Sequence, residues 1–153
     1  MIRNWLFPLL FAVLFLPLPA LAQNPVNITA DLLEMNETDR EAVFTGNVVV
    51  VHPSVTVWAP KVVATYGAGG VSDIETFRAS GGNVRLKTKD QDATGEQAIY
   101  TPGDQLLRLT GNVKVINSSG TVNASELVVN LATNVSTFTS TGGGRVTGVF
   151  NAQ

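Results

Sequence analysis

A short glycine-centred strand motif recurs along the chain and limits its fold more than any other feature. The motif reads FTGNVVVV from Phe44, SGGNVRL from Ser80, LTGNVKV from Leu109 and, in reduced form, TGGGRV from Thr141. Its aligned glycines stand at positions 46, 82, 111 and 144, so successive copies are 36, 29 and 33 residues apart. A repeat on the scale of roughly 20–50 residues predicts stacked supersecondary units that bury one shared face.

A second motif lies between the copies of the first. It reads ITADLLEM from Ile28, VWAPKVVA from Val57, ATGEQAIY from Ala93 and VNASELVV from Val122. Each copy places small or polar residues before an apolar run. The repeating unit is therefore predicted to be one strand, a polar turn and then the G-N-V strand, and four such units fill the chain after its first two dozen residues. Because a glycine within a strand commonly marks a bulge or a corner, we expect a bend at Gly46–Asn47.

The N-terminal segment, positions 1–22, has the pattern of a cleaved signal peptide. Arg3 precedes an almost wholly apolar run over positions 5–16, prolines follow, and Ala20-Leu21-Ala22 forms an A-x-A cleavage signature. An uncleaved membrane anchor needs about 20 apolar residues, and this run is shorter. We expect export with cleavage near Ala22 and a single mature domain over residues 23–153, with an ordered core of about 25–140.

Composition narrows the function classes. The chain has no cysteine, which excludes a thiol nucleophile and any cysteine-based metal site. A net charge of −2 without a basic stripe argues against nucleic-acid binding. Charged residues make up 14% of the chain, against a usual share of about 25%. Sheet edges are therefore poorly protected against pairing with another chain.

Alternation of apolar and polar residues predicts one inward face. The clearest case is the run from Val84 to Lys89, where Val84 and Leu86 point inward while Arg85, Lys87 and Lys89 point to solvent. The same alternation predicts inward positions on four other predicted strands. The first carries Val26 and Ile28, and the second carries Ala42, Phe44, Val48 and Val50. The third carries Ala98 and Tyr100, and the fourth carries Leu107, Leu109, Val113 and Val115.

The segment from Asp31 to Glu41 allows two interpretations. It has the composition of a short helix with Asp31 as its N-cap. The repeat instead predicts a strand, a turn near positions 36–40 and a second strand, and we favour this second interpretation because a short apolar run does not by itself define a helix.

Residue types that carry chemistry occur without the partners they need. His52 is the only histidine, and Pro53 beside it indicates a turn that ends a strand. Asp90 and Asp92 lack the further ligands of a calcium loop, so a solvated turn is favoured there. The glycines at 142–144 lack the G-K-[ST] of a phosphate loop. No catalytic group, cofactor or metal site is predicted.

The ordered set of segments resembles the OstA-like family. The segments are PVNITAD, AVFTGNVVV, VTVWAPKVVATY, ATGEQAIY, LLRLTGNVKV and NASELVVNL, and the resemblance covers positions 25–138. It implies an all-β fold, an open twisted β-jellyroll of stacked antiparallel strands. It also implies a periplasmic, non-enzymatic protein of lipopolysaccharide transport that holds lipid A acyl chains in an apolar groove and leaves the sugar outside.

The resemblance further implies partners and contact residues. Copies pair head to tail through edge strands, forming a homo-oligomer that joins an inner-membrane adaptor to an outer-membrane translocon. The family's lipid-contacting positions correspond to Val26, Ile28, Tyr66, Val84 and Tyr100. The inward positions given by alternation extend this candidate groove to Phe44, Val48, Leu86, Leu107 and Leu109.

Two other function classes remain open at this point. A self-assembling structural β-solenoid with a closed, packed core and no lipid cargo also fits the repeat and the low charge. A carbohydrate-active solenoid enzyme is disfavoured, because glycosidases need paired carboxylates at a defined separation. An interior that is open to lipid, rather than fully packed, separates the transport hypothesis from the structural one.

Overall fold

The computed structural model describes residues 25–152, and the predicted signal peptide lies outside them. Twelve strands follow one another: β1 (Asn27–Thr29), β2 (Leu32–Asn36), β3 (Glu41–His52), β4 (Val55–Tyr66), β5 (Ile74–Ser80), β6 (Val84–Lys87), β7 (Gln91–Gly95), β8 (Gln97–Thr101), β9 (Leu106–Asn117), β10 (Gly120–Asn130), β11 (Val135–Thr139) and β12 (Thr147–Phe150). A single turn of 3-10 helix, Gly70–Ser72, precedes β5. In residues 25–152 no helix has the length and apolar character needed to span a membrane.

The ambiguous segment after Asp31 is a strand, a turn and a strand, as the repeat predicts. Strand β2 pairs with β3, and Leu33 lies opposite Phe44. The Asn36 side-chain oxygen accepts hydrogen bonds from the backbone N–H groups of Thr38 and Asp39, each at 3.1 Å. This Asx turn reverses the chain, so no helix forms here.

All twelve strands belong to one antiparallel sheet, and the chain crosses that sheet eight times. We call each crossing a layer: β1 with β2 is layer 1, β3 layer 2, β4 layer 3, β5 with β6 layer 4, β7 with β8 layer 5, β9 layer 6, β10 layer 7, and β11 with β12 layer 8. Among the described strands, each layer pairs only with the layer before it and the layer after it. The all-β antiparallel prediction is confirmed, and the four predicted units correspond to two layers each.

The layers are interrupted along one line across the sheet, which we call the fold line. In layer 2 the register shifts between Thr45 and Val48, where Gly46 has φ 83° and Asn47 has φ 47°. In layer 6, Gly111 and Asn112 have φ 83° and 46°. These left-handed conformations suit glycine and asparagine and strain most other residues. The predicted bend at Gly46–Asn47 is confirmed.

The fold line divides the sheet into two halves that pack face to face. Half I contains β1, β6, β7 and β12, half II contains β2, β5, β8 and β11, and the four long strands cross both. Val48 and Val113 from half I join Val62, Leu109 and Leu127 from half II in one core, each 1–2% exposed. Within residues 25–152 no polar or charged residue is fully buried, so apolar burial holds the halves together.

Layers 5 to 7 repeat layers 1 to 3, and we call this relation the internal repeat. Residues 27–66 align with residues 92–131 without a gap, so each position in the first copy has one counterpart in the second. The backbone follows the same course in both copies. Arg40 and its counterpart Gln105 have φ 55° and 53°. The N–H of Tyr66 donates to the Arg40 carbonyl at 3.0 Å, and the N–H of Leu131 donates to the Gln105 carbonyl at 2.9 Å.

The corner of the fold is built in the same way in both copies. The Asn47 side-chain amide donates to Asp31 Oδ2 at 3.0 Å, and the Asn112 amide donates to Glu96 Oε1 at 2.7 Å. The acidic residue in each case belongs to the neighbouring layer and also donates its backbone N–H to the carbonyl of the corner glycine, Gly46 or Gly111. The carboxylate therefore holds the left-handed asparagine across two layers.

We expect Gly111→Ala to destabilise the fold by about 1–3 kcal/mol, because the residue has a positive φ. An added Cβ would also lie 2.7 Å from Glu96 Cβ. Gly103→Ala is the matched control, since a Cβ there has no neighbour within 4 Å. Urea unfolding of both variants tests this expectation. An equal decrease in the free energy of unfolding of the two variants would show that the corner does not require glycine at position 111.

Candidate functional site

Two apolar cavities lie between the halves, towards the strand ends that are farthest from the fold line. The first, which we call the slot, has a volume of about 40 Å³ and is lined by residues including Val26, His52, Val57, Phe77, Tyr100 and Leu107. The second, which we call the mouth, has a volume of about 870 Å³ and is lined by residues including Val26, Ile28, Leu33, Met35, Phe44 and Phe77. Val26 and Phe77 line both, so the two cavities adjoin.

The mouth exists because layer 1 has a neighbour on only one side. Strands β1 and β2 pair with β3 alone, and the side chains of Leu33 and Met35 on β2 are 50% exposed. Its volume falls within the range of about 300–1,000 Å³ that is usual for small-ligand sites. Its lining contains no charged side chain. A site of this kind suits an apolar ligand held without directional bonds.

Aromatic side chains from three layers close the slot. The rings of His52 in layer 2 and Tyr100 in layer 5 are 6.0 Å apart between centroids. Phe77 in layer 4 stacks on Tyr100 with the ring planes at 15° and the centroids 6.3 Å apart. The remaining space holds no more than a few water molecules. The slot therefore cannot hold an extended ligand unless the side chains around it move.

His52 has two roles in this arrangement. Its Nδ1 accepts a hydrogen bond from the Ser54 N–H at 3.1 Å, which confirms the predicted turn. Its ring also lines the slot, a role that was not predicted. Burial among apolar groups lowers the pKa of His52, because the charged form loses its hydration. Burial raises the pKa of Tyr100 for the same reason.

The ten predicted groove residues fall into three groups. Those on the cavity walls are Val26, Ile28, Phe44, Tyr100 and Leu107. Those packed in the core behind the cavities, at 1–4% exposed, are Val48, Val84, Leu86 and Leu109. Tyr66 lies elsewhere, in a shallow depression with Arg40 and Glu37. Alternation thus identifies the inward face but does not distinguish cavity walls from packed core.

The sequence prediction missed Phe77, which lines both cavities. The alternation of Phe77 and Ala79 with the exposed Arg78 in β5 is a signal that could have found it. This strand follows a loop over residues 67–73 that is longer than its counterpart between β10 and β11, so it falls out of step with the repeat.

The outer face of half I holds an ion pair where a turn was expected. Asp92 lies in β7, and its Oδ1 accepts a hydrogen bond from Arg85 Nε at 2.9 Å. The interpretation of Asp92 as a solvated turn residue is therefore wrong, whereas Lys89, expected on the strand, lies beyond its end. The hydrogen bond from Arg85 lowers the pKa of Asp92. The Arg85 guanidinium also lies 5.2 Å from the Trp58 ring centroid.

The all-β fold and its apolar interior agree with the resemblance to the OstA-like family. A family model described as "LptA/(LptD N-terminal domain) LPS transport protein" matches residues 27–135. The chain belongs to this family. The region matched by this LPS-transport family covers layers 1 to 7 and the first residue of β11.

Two relatives match parts of this chain. The lipopolysaccharide export system protein LptA of Haemophilus influenzae is 29% identical over 106 residues, which are 66% of this chain and 62% of that protein. An uncharacterized protein of Rhizobium meliloti is 37% identical over 102 residues, which are 63% of this chain and 54% of that protein. The matched parts thus span just over half the length of these two relatives.

A solved structure shows the same fold. It is that of LptH, the LptA-homologous periplasmic component of the lipopolysaccharide transport device of Pseudomonas aeruginosa. The TM-score is 0.72 at 21% identity, and the match covers 84% of this chain and 96% of that one. The open, stacked β-jellyroll of the LPS-transport family is therefore the fold of this chain.

We expect His52→Asn to reduce the loss of stability at acidic pH. Because the pKa of His52 is below 6.5 in the folded protein, the unfolded chain binds the proton more readily. The free energy of unfolding should therefore fall as the pH drops from above 6.5 through the folded pKa. Asparagine keeps the turn, since its counterpart Asn117 accepts the Ser119 N–H at 2.9 Å. Urea unfolding from about pH 8 to about pH 4.5 tests this, and parallel curves for the two proteins would contradict it.

Proposed function

We propose that this protein binds lipopolysaccharide in the periplasm and shields its lipid A acyl chains in the mouth and slot. In this proposal the chain bridges inner- and outer-membrane export complexes by end-to-end strand pairing. The observation that carries the proposal is the mouth of about 870 Å³, which is apolar and uncharged and leads to the slot through Phe77. Family membership supports the cargo, and the signal-peptide pattern supports the compartment.

The apolar lining supplies what an acyl chain lacks in water. Burying a chain of about 12 methylenes at ~0.8 kcal/mol each recovers about 10 kcal/mol gross. A lipid cannot cross an aqueous compartment at a useful rate against such a penalty. Valine, isoleucine and phenylalanine walls offset it without specific bonds, so the chain can also slide onward. The wide mouth receives acyl chains first, and separation of His52 from Tyr100 admits them further.

The two ends of the sheet support end-to-end assembly. Strands β1 and β2 pair only with β3, and β11 and β12 pair only with β10, so in the described chain layers 1 and 8 each have a free edge. Successive layers run in opposite directions, so a ninth layer would run in the direction of layer 1. Layer 1 of a second copy placed against layer 8 therefore continues the antiparallel order.

Apolar side chains at both free edges support the same assembly. Leu33 and Met35 at the layer 1 end are each 50% exposed, and Val149 and Phe150 at the layer 8 end are 69% and 62% exposed. Contact between two copies would cover them. The same edges would receive the inner-membrane adaptor and the outer-membrane translocon.

A structural module without lipid cargo is the second candidate. The observation in its favour is the packed interior, since Val48, Val84 and Leu109 are each 1% exposed and the slot is nearly closed. The mouth argues against it, because a purely structural stack gains nothing from an apolar cavity of that size. A carbohydrate-active enzyme has less support, as neither cavity has a carboxylate among its described lining residues.

A photocrosslinking residue at Phe44 or Tyr100 should form an adduct with lipopolysaccharide in cells. Both side chains line a cavity, whereas Lys87 is exposed on the outer face and serves as the control. The readout is a lipopolysaccharide-reactive band of raised mass on a denaturing gel. A folded, exported protein that forms no adduct at Phe44 or Tyr100 would favour the structural module.

Phe44→Glu should weaken lipopolysaccharide binding by at least about tenfold, because a carboxylate in an apolar wall must lose its hydration when an acyl chain covers it. Thr45→Glu is the matched control, since it adds the same charge at the next position of β3, where the side chain is exposed. Binding of purified, folded variants to a fluorescent lipopolysaccharide measures both. Equal affinities for the two variants would exclude the mouth as the binding site.

A further inference from the structure

We infer that two copies of this chain join in one fixed register, which is the register that already joins layers 4 and 5 inside each copy. This inference rests on the end-to-end assembly proposed above and specifies the contact it uses. It follows from the internal repeat. Layer 5 is the counterpart of layer 1. Layer 5 pairs with layer 4 inside the chain, and layer 1 has no partner at the corresponding edge. The way layers 4 and 5 pair therefore indicates how layer 1 would pair with a second copy.

Layer 8 is likewise the counterpart of layer 4. Val62 of β4 lies opposite Ala79 of β5, and Leu127, the counterpart of Val62, lies opposite Phe138 of β11. Phe138 therefore occupies the place of Ala79. In half I, Val57 lies opposite Leu86, and Val122, the counterpart of Val57, lies opposite Gly148.

The register inside the chain then gives the register between copies. Ala79 lies opposite Ala98, and Arg78 lies opposite Ile99. Their counterparts place Phe138 of one copy opposite Leu33 of the next, and Thr137 opposite Glu34. In half I, Arg85 lies opposite Thr94 and Leu86 opposite Ala93. Their counterparts place Thr147 opposite Thr29, and Gly148 opposite Ile28.

The side chains suit this register. Ala79 and Ala98 at the internal junction are 5% and 3% exposed. Their counterparts are both apolar: Phe138 packs partly against the core, and Leu33 is 50% exposed and lines the mouth. Pairing would place them side by side on the inward face and cover both. A slip by a single position would turn Leu33 to the outer face.

A slip by two positions keeps the faces but fails for another reason. In the inferred assembly, layer 8 of one copy pairs with layer 1 of the next copy in both half I and half II. The fold line must therefore continue without a step from the first copy into the second. Displacing the pairing in either half would move the two fold lines out of alignment and interrupt the interior between copies. The inferred register keeps the fold line continuous and gives the mouth a second wall.

Disulfide trapping between single-cysteine variants tests the register, because the chain has no cysteine of its own. Glu34→Cys is mixed with Thr137→Cys, and independently Thr29→Cys is mixed with Thr147→Cys; all four side chains lie on the outer face. Layers 1 and 8 of one copy are about 34 Å apart, seven spacings of about 4.8 Å, so a bond within one chain is excluded. Each mixture should form a heterodimer under mild oxidation.

The controls are also pairs of single-cysteine variants, but their cysteines would lie opposite each other only in a displaced register. Leu32→Cys with Thr137→Cys, and Glu34→Cys with Thr139→Cys, displace the pairing by two positions in opposite senses. We expect at least about tenfold less dimer from either control, because the two sulfur atoms would be held too far apart to bond. Equal or stronger trapping in a slipped pair would overturn the inferred register while leaving end-to-end assembly intact. No dimer in any mixture of folded variants would overturn the assembly itself.

Discussion

The fold depends on a corner that only two residue types make easily. In layers 2 and 6 the chain turns through a glycine and an asparagine with positive φ, and a carboxylate from the adjacent layer accepts a hydrogen bond from the asparagine amide. Without these corners the eight layers would form a flat sheet with two solvated faces. The corners bring the apolar faces of both halves together, and the resulting interior is at once the core and the candidate site.

The same inward face forms the packed core near the fold line and lines the two cavities far from it. Close to the corners, Val48 and Leu109 are 1% exposed, and the two halves are in full contact. Farther out, the rings of His52, Phe77 and Tyr100 close the slot, while the mouth stays open. The described residues include no fully buried polar side chain. Movement of these rings therefore leaves no buried polar side chain without a partner. Such an interior would suit the acyl-chain binding proposed above.

Much of this architecture could be predicted from the sequence, because local chemistry determines it. The glycine-asparagine pairs mark the corners, and alternation marks the inward face. The repeat was harder to define, since the glycines of the motif, at positions 46, 82, 111 and 144, are unevenly spaced. Gly46 and Gly111 are counterparts, so the repeat has a period of four layers. Its gap-free part covers three of them, and loops of unequal length before and within layers 4 and 8 conceal the rest.

The walls of the cavities could not be predicted, because they depend on which layers lack a neighbour. Phe44 and Leu109 occupy counterpart positions on β3 and β9, yet Phe44 lines the mouth and Leu109 is packed in the core. Only the position of each in the stack separates them. His52 and Tyr100 come from layers 2 and 5, and their contact depends on how the two halves pack, which no sequence pattern specifies.

In the inferred assembly, the junction between copies would differ from the junction within one copy. Layers 4 and 5 are tethered by a short turn between β6 and β7, so their pairing loses little entropy of association, and two alanines suffice at its inward face. Layers 8 and 1 of separate copies have no tether and must lose translational freedom to pair. In that junction the larger Phe138 and Leu33 at the counterpart positions would bury more apolar surface, which would offset that loss. A stack assembled this way would break between copies before it broke within one.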